Sequence, residues 1–282
     1  MSPTSPARSS GQAFHAQPNT LCGAHTVEAA ERAEGGQPVG AQDSAWYVVP
    51  EQLSIYGTEL YDELSPPDKH RLSRFEAALW ASNTVHGEDQ VLGGLAPRGD
   101  LHYFVGVFAA EEVNHQQMFR SYLQHLGVEL LPTRAVGWMT PPLTEAEFFA
   151  CTYVFEDIVG RSNRAIAKDE RCHPVARAVN HAHAVEEAVH LNFGRANLAR
   201  IIPELTEAER NRLADQVGSY LRAVWRERYR SDVYELAGLP KPWAIARQAW
   251  SAPRQVAHRV DYTTRALRHL TVLGLDPEEI AS

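Results

Sequence analysis

The chain of 282 residues is long enough for one large domain or two small ones, and its 44% hydrophobic and 22% charged residues are typical of globular proteins. Its 27 basic and 35 acidic residues give a net charge of −8, which disfavours nucleic acid or an anionic membrane as the main partner. The three cysteines are widely spaced and form neither a disulfide framework nor a C-x-x-C metal motif, which favours a reducing, cytoplasmic location.

The first 45 residues differ in composition from the rest of the chain. They are rich in Ser, Pro, Gly and Gln and lack the apolar core of a signal peptide, so we expect a disordered tail over residues 1–45. No apolar run approaches the roughly 20 residues that a membrane helix needs. We therefore expect one folded domain over residues 46–282 and no membrane anchor.

The folded part reads as a succession of helices separated by breaks that contain Pro or Gly. Thr144 and Thr206 each precede a glutamate by three residues, which is the spacing of a capping box. Alternation of the strand type does not extend beyond a few residues, so the pattern predicts an all-α protein. The predicted helices cover approximately residues 67–92, 98–127, 144–170, 173–201, 205–236 and 241–273.

The second predicted helix carries a carboxylate and an imidazole within an apolar stripe. Phe108, Phe119 and Tyr122 recur at helical spacing, and the middle of this stripe is occupied by Glu112 and His115. Burying such groups is costly unless they are paired or bind a metal ion. The pattern therefore indicates a polar site in the interior of the protein.

The stretch HAHAVEEAVHLNF in the fourth predicted helix repeats this arrangement. Glu187 and His190 form a second E-x-x-H pair, and His183 lies one turn before Glu187 on the same face. Two helices with Glu-x-x-His are half of the ferritin-like dimetal pattern, which adds one inward glutamate from each of two further helices.

Those single glutamates occur in the helices that precede each E-x-x-H pair. Glu76 interrupts a face that also holds Leu72 and Leu79, and Glu156 shares a face with Phe149. They precede the glutamates of the two pairs by 36 and 31 residues. The chain thus matches the four-helix template, and we predict a ferritin-like four-helix bundle with additional C-terminal helices.

The ligand types favour a particular class of metal ion. Four ionised glutamates balance the charge of two divalent cations, whereas without metal they repel one another and take up protons. Many carboxylates with a few imidazoles suit iron or manganese better than zinc or copper(I). The zincin, nucleophile-elbow, P-loop and Rossmann motifs are absent from the sequence.

Other polar residues compete for places at this site. Glu111 and Glu186 lie four residues before the two E-x-x-H histidines, and we interpret them, with Asp157, as acceptors that orient the ligand imidazoles. Arg71, Arg161 and Arg164 could meet a substrate carboxylate, although surface ion pairing is favoured for each. Further residues are interpreted as surface groups: His86, Glu88, His102, His181 and the basic run RAVWRERYRSD.

From about residue 50 to 275 the chain resembles the AurF-like non-haem di-iron N-oxygenases, the family of p-aminobenzoate N-oxygenase. The resemblance implies that seven side chains hold two iron ions and form the catalytic centre, with His183 as the third histidine that distinguishes this family from six-ligand ferritin-like sites. The seven residues are Glu76, Glu112, His115, Glu156, His183, Glu187 and His190.

The resemblance also implies a monooxygenase of secondary metabolism. Dioxygen, as co-substrate, reacts at the reduced cluster, and an amine nitrogen is oxidised. The expected substrate is an arylamine and the expected product a hydroxylamine, nitroso or nitro compound. Two alternatives stay open: a di-iron C-hydroxylase, desaturase or oxidase, and an iron-binding or assembly bundle without activity.

The expected partners follow from this chemistry. The substrate is a small-molecule amine, either free or bound to a carrier protein. The sequence has no flavin, nicotinamide or iron–sulfur motif, so the two electrons needed per dioxygen come from an external donor or reductase. We expect a homodimer and neither nucleic acid nor a membrane as partner.

Overall fold

The structure of the chain is a computed structural model that describes residues 23–33, 35, 44–96, 102–134 and 143–277. Within these ranges the extended pairing consists of a single bridge between Trp46 and Cys172. The helices are α1 (Ala24–Ala33), α2 (Glu59–Glu63), α3 (Pro66–Leu95), α4 (His102–Leu126), α5 (Glu145–Lys168), α6 (Pro174–Ile201), α7 (Glu207–Glu227), α8 (Ser231–Leu236), α9 (Pro242–Ser251) and α10 (Pro253–Val272).

The long helices begin at residues that satisfy the free N–H groups of a first turn. At the start of α3, the Ser65 hydroxyl accepts a backbone N–H and is followed by a proline at the first helical position. Complete capping boxes begin α5, with Thr144 and Glu147, and α7, with Thr206 and Glu209. The boxes confirm the helix starts predicted from the Thr-x-x-Glu spacing.

Helices α3 to α6 form the predicted four-helix bundle. Helix α3 packs along α4, and α5 packs along α6. The two pairs meet where α4 contacts α6 and where α3 contacts α5. Helices α7 and α10 cover α5, while α8 packs on α3 and contacts α9. The all-α class and the ferritin-like arrangement are therefore as the sequence predicts.

A polar layer divides the interior of the bundle into two apolar clusters. Along α3, one cluster includes Leu72 to Val85 and the other begins at Val91, with the buried Glu88 between them. Along α6, the same clusters end at Ala182 and begin again at Leu191. The apolar clusters provide the hydrophobic stabilisation, so the polar layer between them calls for a separate explanation.

The last two predicted helices are each interrupted in the structure. The segment predicted over 205–236 divides into α7 and α8, and the segment predicted over 241–273 divides before Pro253. Proline lacks the backbone N–H that a continuous helix would need there, and it occupies the first position of α10. No helix in the described ranges combines the length and apolarity needed to cross a membrane.

The prediction of a disordered tail over residues 1–45 is wrong for one segment. Residues 24–33 form α1, which packs against α4 and α6 and buries Val27. Glu31 of α1 lies 2.6 Å from Nδ1 of the buried His125. Composition alone favoured disorder, but this short helix is held by contacts with a bundle whose position the sequence does not reveal. Most of the other tail residues lie outside the described ranges.

Candidate metal centre

The polar layer of the bundle contains seven buried side chains that offer ligand atoms to metal ions. Three overlapping groups of them bring their ligand atoms within 4.8 Å of one another. Each of the four bundle helices contributes at least one residue. The seven are Glu88 from α3, Glu112 and His115 from α4, Glu156 from α5, and His183, Glu187 and His190 from α6.

The two E-x-x-H pairs face each other across the contact between α4 and α6. His115 Nδ1 lies 3.0 Å from an oxygen of Glu112 and 3.0 Å from an oxygen of Glu187. His190 Nδ1 lies 3.1 Å from each of the same two carboxylates. The i, i+3 spacing places Glu and His on one helix face. Glu112 and Glu187 are thus central, and each presents oxygens to both imidazoles.

His183 joins the same layer from one turn earlier on α6. Its Nε2 lies 3.1 Å from Glu187 and 3.4 Å from Glu88. On the other side of the ring, the Asn163 amide lies 2.5 Å from Nδ1, and Trp80 Nε1–H donates to Asn163 Oδ1 at 3.3 Å. These contacts orient the imidazole so that Nε2 faces the carboxylates.

Two further glutamates hold the E-x-x-H histidines from outside the layer. His115 Nε2 lies 3.2 Å from Glu186, which is on the opposite helix, and His190 Nε2 lies 2.9 Å from Glu111. Each helix therefore supplies the outer acceptor for the imidazole of the other. Such acceptors fix the ring orientation and keep the inner nitrogen available as a ligand. The orienting contacts predicted for Glu111 and Glu186 are present.

Helix α3 contributes Glu88 to the layer, and not the predicted Glu76. Glu76 is buried, but its carboxylate accepts the backbone N–H of Ser54 at 3.1 Å and its hydroxyl at 2.5 Å, and it belongs to none of the three ligand groups. Glu88, expected at the surface, is fully buried in the layer. The two glutamates are twelve residues apart, which is roughly 18 Å along a helix.

A signal for Glu88 was present in the sequence. Ala81, Glu88 and Leu95 follow one another at intervals of seven residues, and all three are buried. This spacing keeps them on one face of α3. The neighbouring Asp89 and the nearby glycines made the segment resemble a helix end, whereas α3 continues to Leu95. The fold, by setting how α3 lies against α4 and α5, decides which of its acidic residues faces the layer.

The remaining sequence candidates take varied positions. His181 is exposed, as predicted, and His102 has no described side chain. Asp157 is not an acceptor for a ligand imidazole, because it pairs with Arg265 of α10. Arg71 and Arg161 form ion pairs with Asp68 and Asp261. Arg164 departs from the expected surface pairing, because its Nη2 is buried without a hydrogen bond.

The four carboxyl groups of the layer lie close enough to change one another's pKa values. Burial, followed by Glu112 and Glu156, raises the pKa of Glu88 well above its ordinary value, and burial with Glu187 does the same for Glu156. Burial opposes ionisation of Glu112 too. The charge of His190 and the hydrogen bonds from His115 and His190 nevertheless lower the pKa of Glu112 to about 2. Burial lowers the pKa of His190, but Glu187 and Glu112 outweigh it and raise that pKa well above its ordinary value. Protons on Glu88, Glu156 and His190 therefore balance the negative charge when cations do not.

The donor atoms of the layer fit a pair of metal ions. Both oxygens of Glu88 and of Glu156, one oxygen each of Glu112 and Glu187, and Nε2 of His183 are buried without a hydrogen bond. Buried polar atoms of native proteins almost always have partners, so this convergent set of atoms indicates a binding site for metal ions. Four carboxylates and three imidazoles are the ligand chemistry of non-haem iron or manganese.

A cavity lies beside this layer, between α3, α5 and α7. It contains about 910 Å³ of space, including the part open to solvent. Gly87 and Phe155 line it, and each directly precedes a carboxylate of the layer. Tyr220 also lines it, and the pKa of Tyr220 is raised by burial and by nearby acidic groups that include Glu156. The cavity therefore reaches the vicinity of the candidate metal centre.

Comparison with protein families matches most of the chain to one of them. The model of the family described as "P-aminobenzoate N-oxygenase AurF" matches residues 36–274. This range contains all seven residues of the polar layer and the helices of the bundle. The match agrees with the resemblance inferred from the sequence.

Three curated mycobacterial proteins are also similar to this chain. They are described as uncharacterized proteins: Rv0885 and MT0908 of Mycobacterium tuberculosis, and Mb0909 of Mycobacterium bovis. Each is 27% identical over 161 residues, which covers 50% of this chain and 47% of the relative. The match thus spans about half the length of these relatives, and their names assign no activity.

Proposed function

Because the chain belongs to the AurF family of p-aminobenzoate N-oxygenases, we propose that it is a di-iron oxygenase that uses dioxygen to oxidise an amine nitrogen. The observation that carries this proposal is the buried layer of four carboxylates and three imidazoles. In the proposed enzyme, a bound pair of iron ions supplies the reduction of dioxygen and the transfer of one oxygen atom.

The residues of the layer divide into central and peripheral positions. Glu112 and Glu187 lie between the imidazoles of α4 and α6 and would hold the metal ions together with them. Glu88 lies 3.4 Å from His183 Nε2, and Glu88 and Glu156 would complete the ligand set. Each of the two directly follows a residue that lines the cavity. This arrangement leaves the side of the layer that faces Glu88 and Glu156 as the approach for an amine.

The apolar surroundings restrict water at the proposed centre. Phe108 packs on His190 with 3.9 Å between ring centroids, and Phe119 contacts His183 edge-on at 4.9 Å. Both phenylalanines are buried and lie on α4, on either side of its E-x-x-H pair. A dry site strengthens the electrostatic interactions inside it and protects reactive species from solvent.

The overall reaction requires a reductant. Conversion of an amine and dioxygen into a hydroxylamine and water consumes two electrons and two protons. We propose that a separate electron donor supplies the electrons, and that the substrate is a small arylamine, free or carrier-bound, of secondary metabolism. We further propose a cytoplasmic homodimer, which the exposed Val113, Val185 and Val189 on the outer faces of α4 and α6 support.

The test combines metal analysis with product analysis. The purified protein is loaded with Fe(II) without oxygen, and iron is counted per chain. Dioxygen is then added with a panel of arylamines and a fatty acyl substrate, and products are identified by mass spectrometry. We expect about two irons and at least one product oxidised at nitrogen.

Two results would contradict the proposal. Oxidation at carbon alone, across amine-bearing and amine-free substrates, would favour a di-iron hydroxylase, desaturase or oxidase. Stable iron binding without oxygen consumption under any of these conditions would favour an iron-binding bundle.

A further inference from the structure

Arginine side chains from three helices lie together outside the bundle, where α10 packs on α5. Arg265 of α10 donates from Nε to Asp157 of α5 at 2.8 Å, and Arg161 of α5 donates from Nη2 to Asp261 of α10 at 2.8 Å. These contacts join the two helices. The whole group, which we call the basic face, consists of Arg161 and Arg164 of α5, Arg195 of α6, and Arg265 and Arg268 of α10.

Arg164 lies at the centre of the basic face. Its Nη1 atom lies 3.1 Å from the position that a Cβ would take at Gly160, so the side chain runs back along α5 by about one turn. Its Nη2 atom is buried and makes no hydrogen bond within the described part of the chain. Burial lowers the pKa of Arg164, and the charges of Arg265, Arg161 and Arg195 lower it further. The guanidinium is therefore surrounded by other cations.

Two aspartates compensate only part of this charge. Asp157 is buried against Arg265 and raises the pKa of Arg164, and Asp261 pairs with Arg161. The five arginines and these two aspartates carry a formal charge of +3, although the chain as a whole carries −8. The side chain of Arg265 is 47% exposed. A cationic surface on an otherwise acidic protein attracts an acidic partner and guides its approach.

The basic face covers the part of α5 that contacts the metal layer. Glu156, a member of the layer, directly precedes Asp157. Asn163, whose amide lies 2.5 Å from Nδ1 of His183, directly precedes Arg164. Positions 156 and 164 are roughly 12 Å apart along a helix, and the Arg164 side chain shortens this distance. One helix therefore connects the basic face to two members of the layer.

The character of this surface fits a protein that transfers electrons. The proposed reaction consumes two electrons per dioxygen, which come from a separate donor. Electron-transfer proteins form small, transient complexes whose association is guided by charge. Val272 is 84% exposed and lies one turn after Arg268 on α10, so it adds an apolar contact beside the arginines.

We propose that the basic face is the docking surface for a small acidic electron-transfer protein, which delivers electrons to the metal centre across α5. Each encounter transfers one electron from the reduced carrier, which leaves in its oxidised form. Two encounters thus supply the two electrons that each dioxygen consumes. This proposal rests on the proposed function, because it names the partner of that centre.

Direct binding tests the docking surface apart from catalysis. The probes are two acidic one-electron carriers in their oxidised form, a [2Fe–2S] ferredoxin and a flavodoxin. Isothermal titration calorimetry measures their affinity for the iron-loaded protein at low and at high salt. We expect at least one carrier to bind at about 20 mM salt and to bind tenfold or more weakly at about 300 mM salt, because salt screens charges at a surface.

Charge reversal provides the comparison. Arg161→Glu combined with Arg268→Glu should weaken binding of that carrier about tenfold or more, because two attractive charges become repulsive. Arg212→Glu combined with Arg247→Glu is the matched control, since it reverses two exposed arginines of α7 and α9 and changes the net charge equally. The control should bind nearly as the unaltered protein does. Arg268→Glu alone, an exposed change, should weaken binding about threefold and serves if the first pair does not fold.

The rate of reduction gives a second readout. Stopped-flow absorbance without oxygen follows electron transfer from the reduced carrier to the iron-loaded protein. The rate should fall about tenfold or more in Arg161→Glu with Arg268→Glu and stay unchanged in the control pair. Dithionite, a small chemical reductant, should reduce all variants at the same rate.

The outcomes separate this proposal from the proposed function. Equal affinities of the two charge-reversal pairs would overturn the docking surface. So would failure of both carriers to bind a protein that holds two irons and is reduced by dithionite. Dissociation of a dimer by Arg161→Glu with Arg268→Glu, seen by sedimentation velocity, would assign the basic face to a contact between two copies and overturn it too. A protein that holds no iron would instead overturn the proposed function.

Discussion

At the scale of single residues, the candidate centre is organised by which side of each imidazole faces the carboxylates. His115 and His190 present Nδ1 to the layer and Nε2 to outer glutamates, whereas His183 presents Nε2. The spacing explains the difference, because His183 lies one turn before Glu187 and the other two lie three residues after a glutamate. The outer contacts of all three rings come from different helices, so the bundle must be assembled before the imidazoles are fixed.

The assignment of Glu88, and not Glu76, as a metal ligand leads to a direct prediction. Glu88→Ala should reduce the iron content from about two per chain to about one or fewer, because it removes a ligand whose oxygens lack other partners. Glu76→Gln should retain both ions, since Glu76 is bound to Ser54. Iron analysis after anaerobic loading and desalting measures the difference. Loss of iron in Glu76→Gln alone would return the ligand role to Glu76.

The outer glutamates can be tested in the same manner. Glu111→Ala and Glu186→Ala should each lower metal affinity by roughly 10- to 100-fold, because each removes the acceptor for a ligand imidazole. His181→Ala, an exposed change on α6, is the matched control and should have no effect. Competition with a chelator of known affinity provides the measurement. Affinities equal to that of the control would show that these contacts do not support the ligands.

At the scale of helices, the close approach of α3 to α5 depends on small residues. A Cβ added at Gly94 would lie 2.3 Å from the ring of the buried Phe148, whereas at the neighbouring Gly93 it would meet nothing within 4 Å. Both glycines are within α3, where alanine is intrinsically the better helix former. The adjacent positions therefore separate tertiary packing from helix propensity.

We predict opposite effects of alanine at these two positions. Gly94→Ala should lower the free energy of unfolding by about 1–3 kcal/mol, because Phe148 has to shift within a packed core. Gly93→Ala should raise it by about 0.5–1 kcal/mol, since an exposed helical glycine loses more entropy on folding. Urea denaturation followed by circular dichroism measures both. Similar changes in the two variants would mean that α3 and α5 are not packed this closely.

At the scale of the whole molecule, the polar layer links metal binding to stability. The layer lies between two apolar clusters and brings together carboxylates from all four bundle helices. Without metal, burial and the neighbouring carboxylates raise the pKa of Glu88 and Glu156 above the ordinary value of 4.5. A carboxyl whose pKa is higher in the folded than in the unfolded chain contributes stability at low pH, and this contribution is lost as the pH rises through the folded pKa.

The contribution of these two groups to the stability of the metal-free protein should therefore fall as the pH rises above the ordinary value of 4.5 and through their raised pKa values. Metal ions displace their protons, so affinity and stabilisation should both increase over the same interval. With Fe(II) at a fixed concentration, about 100 times the dissociation constant at pH 8, we expect the melting temperature to rise by roughly 5–10 °C at pH 8 and by less at pH 6. Calorimetry without oxygen measures this, with Glu187→Ala as the unresponsive control. A larger rise at pH 6 would contradict the linkage.

Spacing along the chain was sufficient to predict the all-α class, the starts of α5 and α7, the two E-x-x-H pairs and His183. These features follow from spacing along a single helix, and 3.6 residues per turn convert spacing into a shared face without knowledge of the rest of the fold. The outer roles of Glu111 and Glu186 followed in the same way, because they repeat in both pairs.

The choice between Glu76 and Glu88 as the acidic residue of the layer depends on how the helices pack. Both are buried on α3, and which of them meets α4 and α5 depends on how far the helices are shifted along one another, a quantity that no local pattern encodes. The same holds for α1, whose contacts are with distant segments, and for Arg228, which lies in a basic run that the sequence suggested was solvated. Whether a charged side chain is buried depends on the residues that pack over it, and these residues belong to other helices.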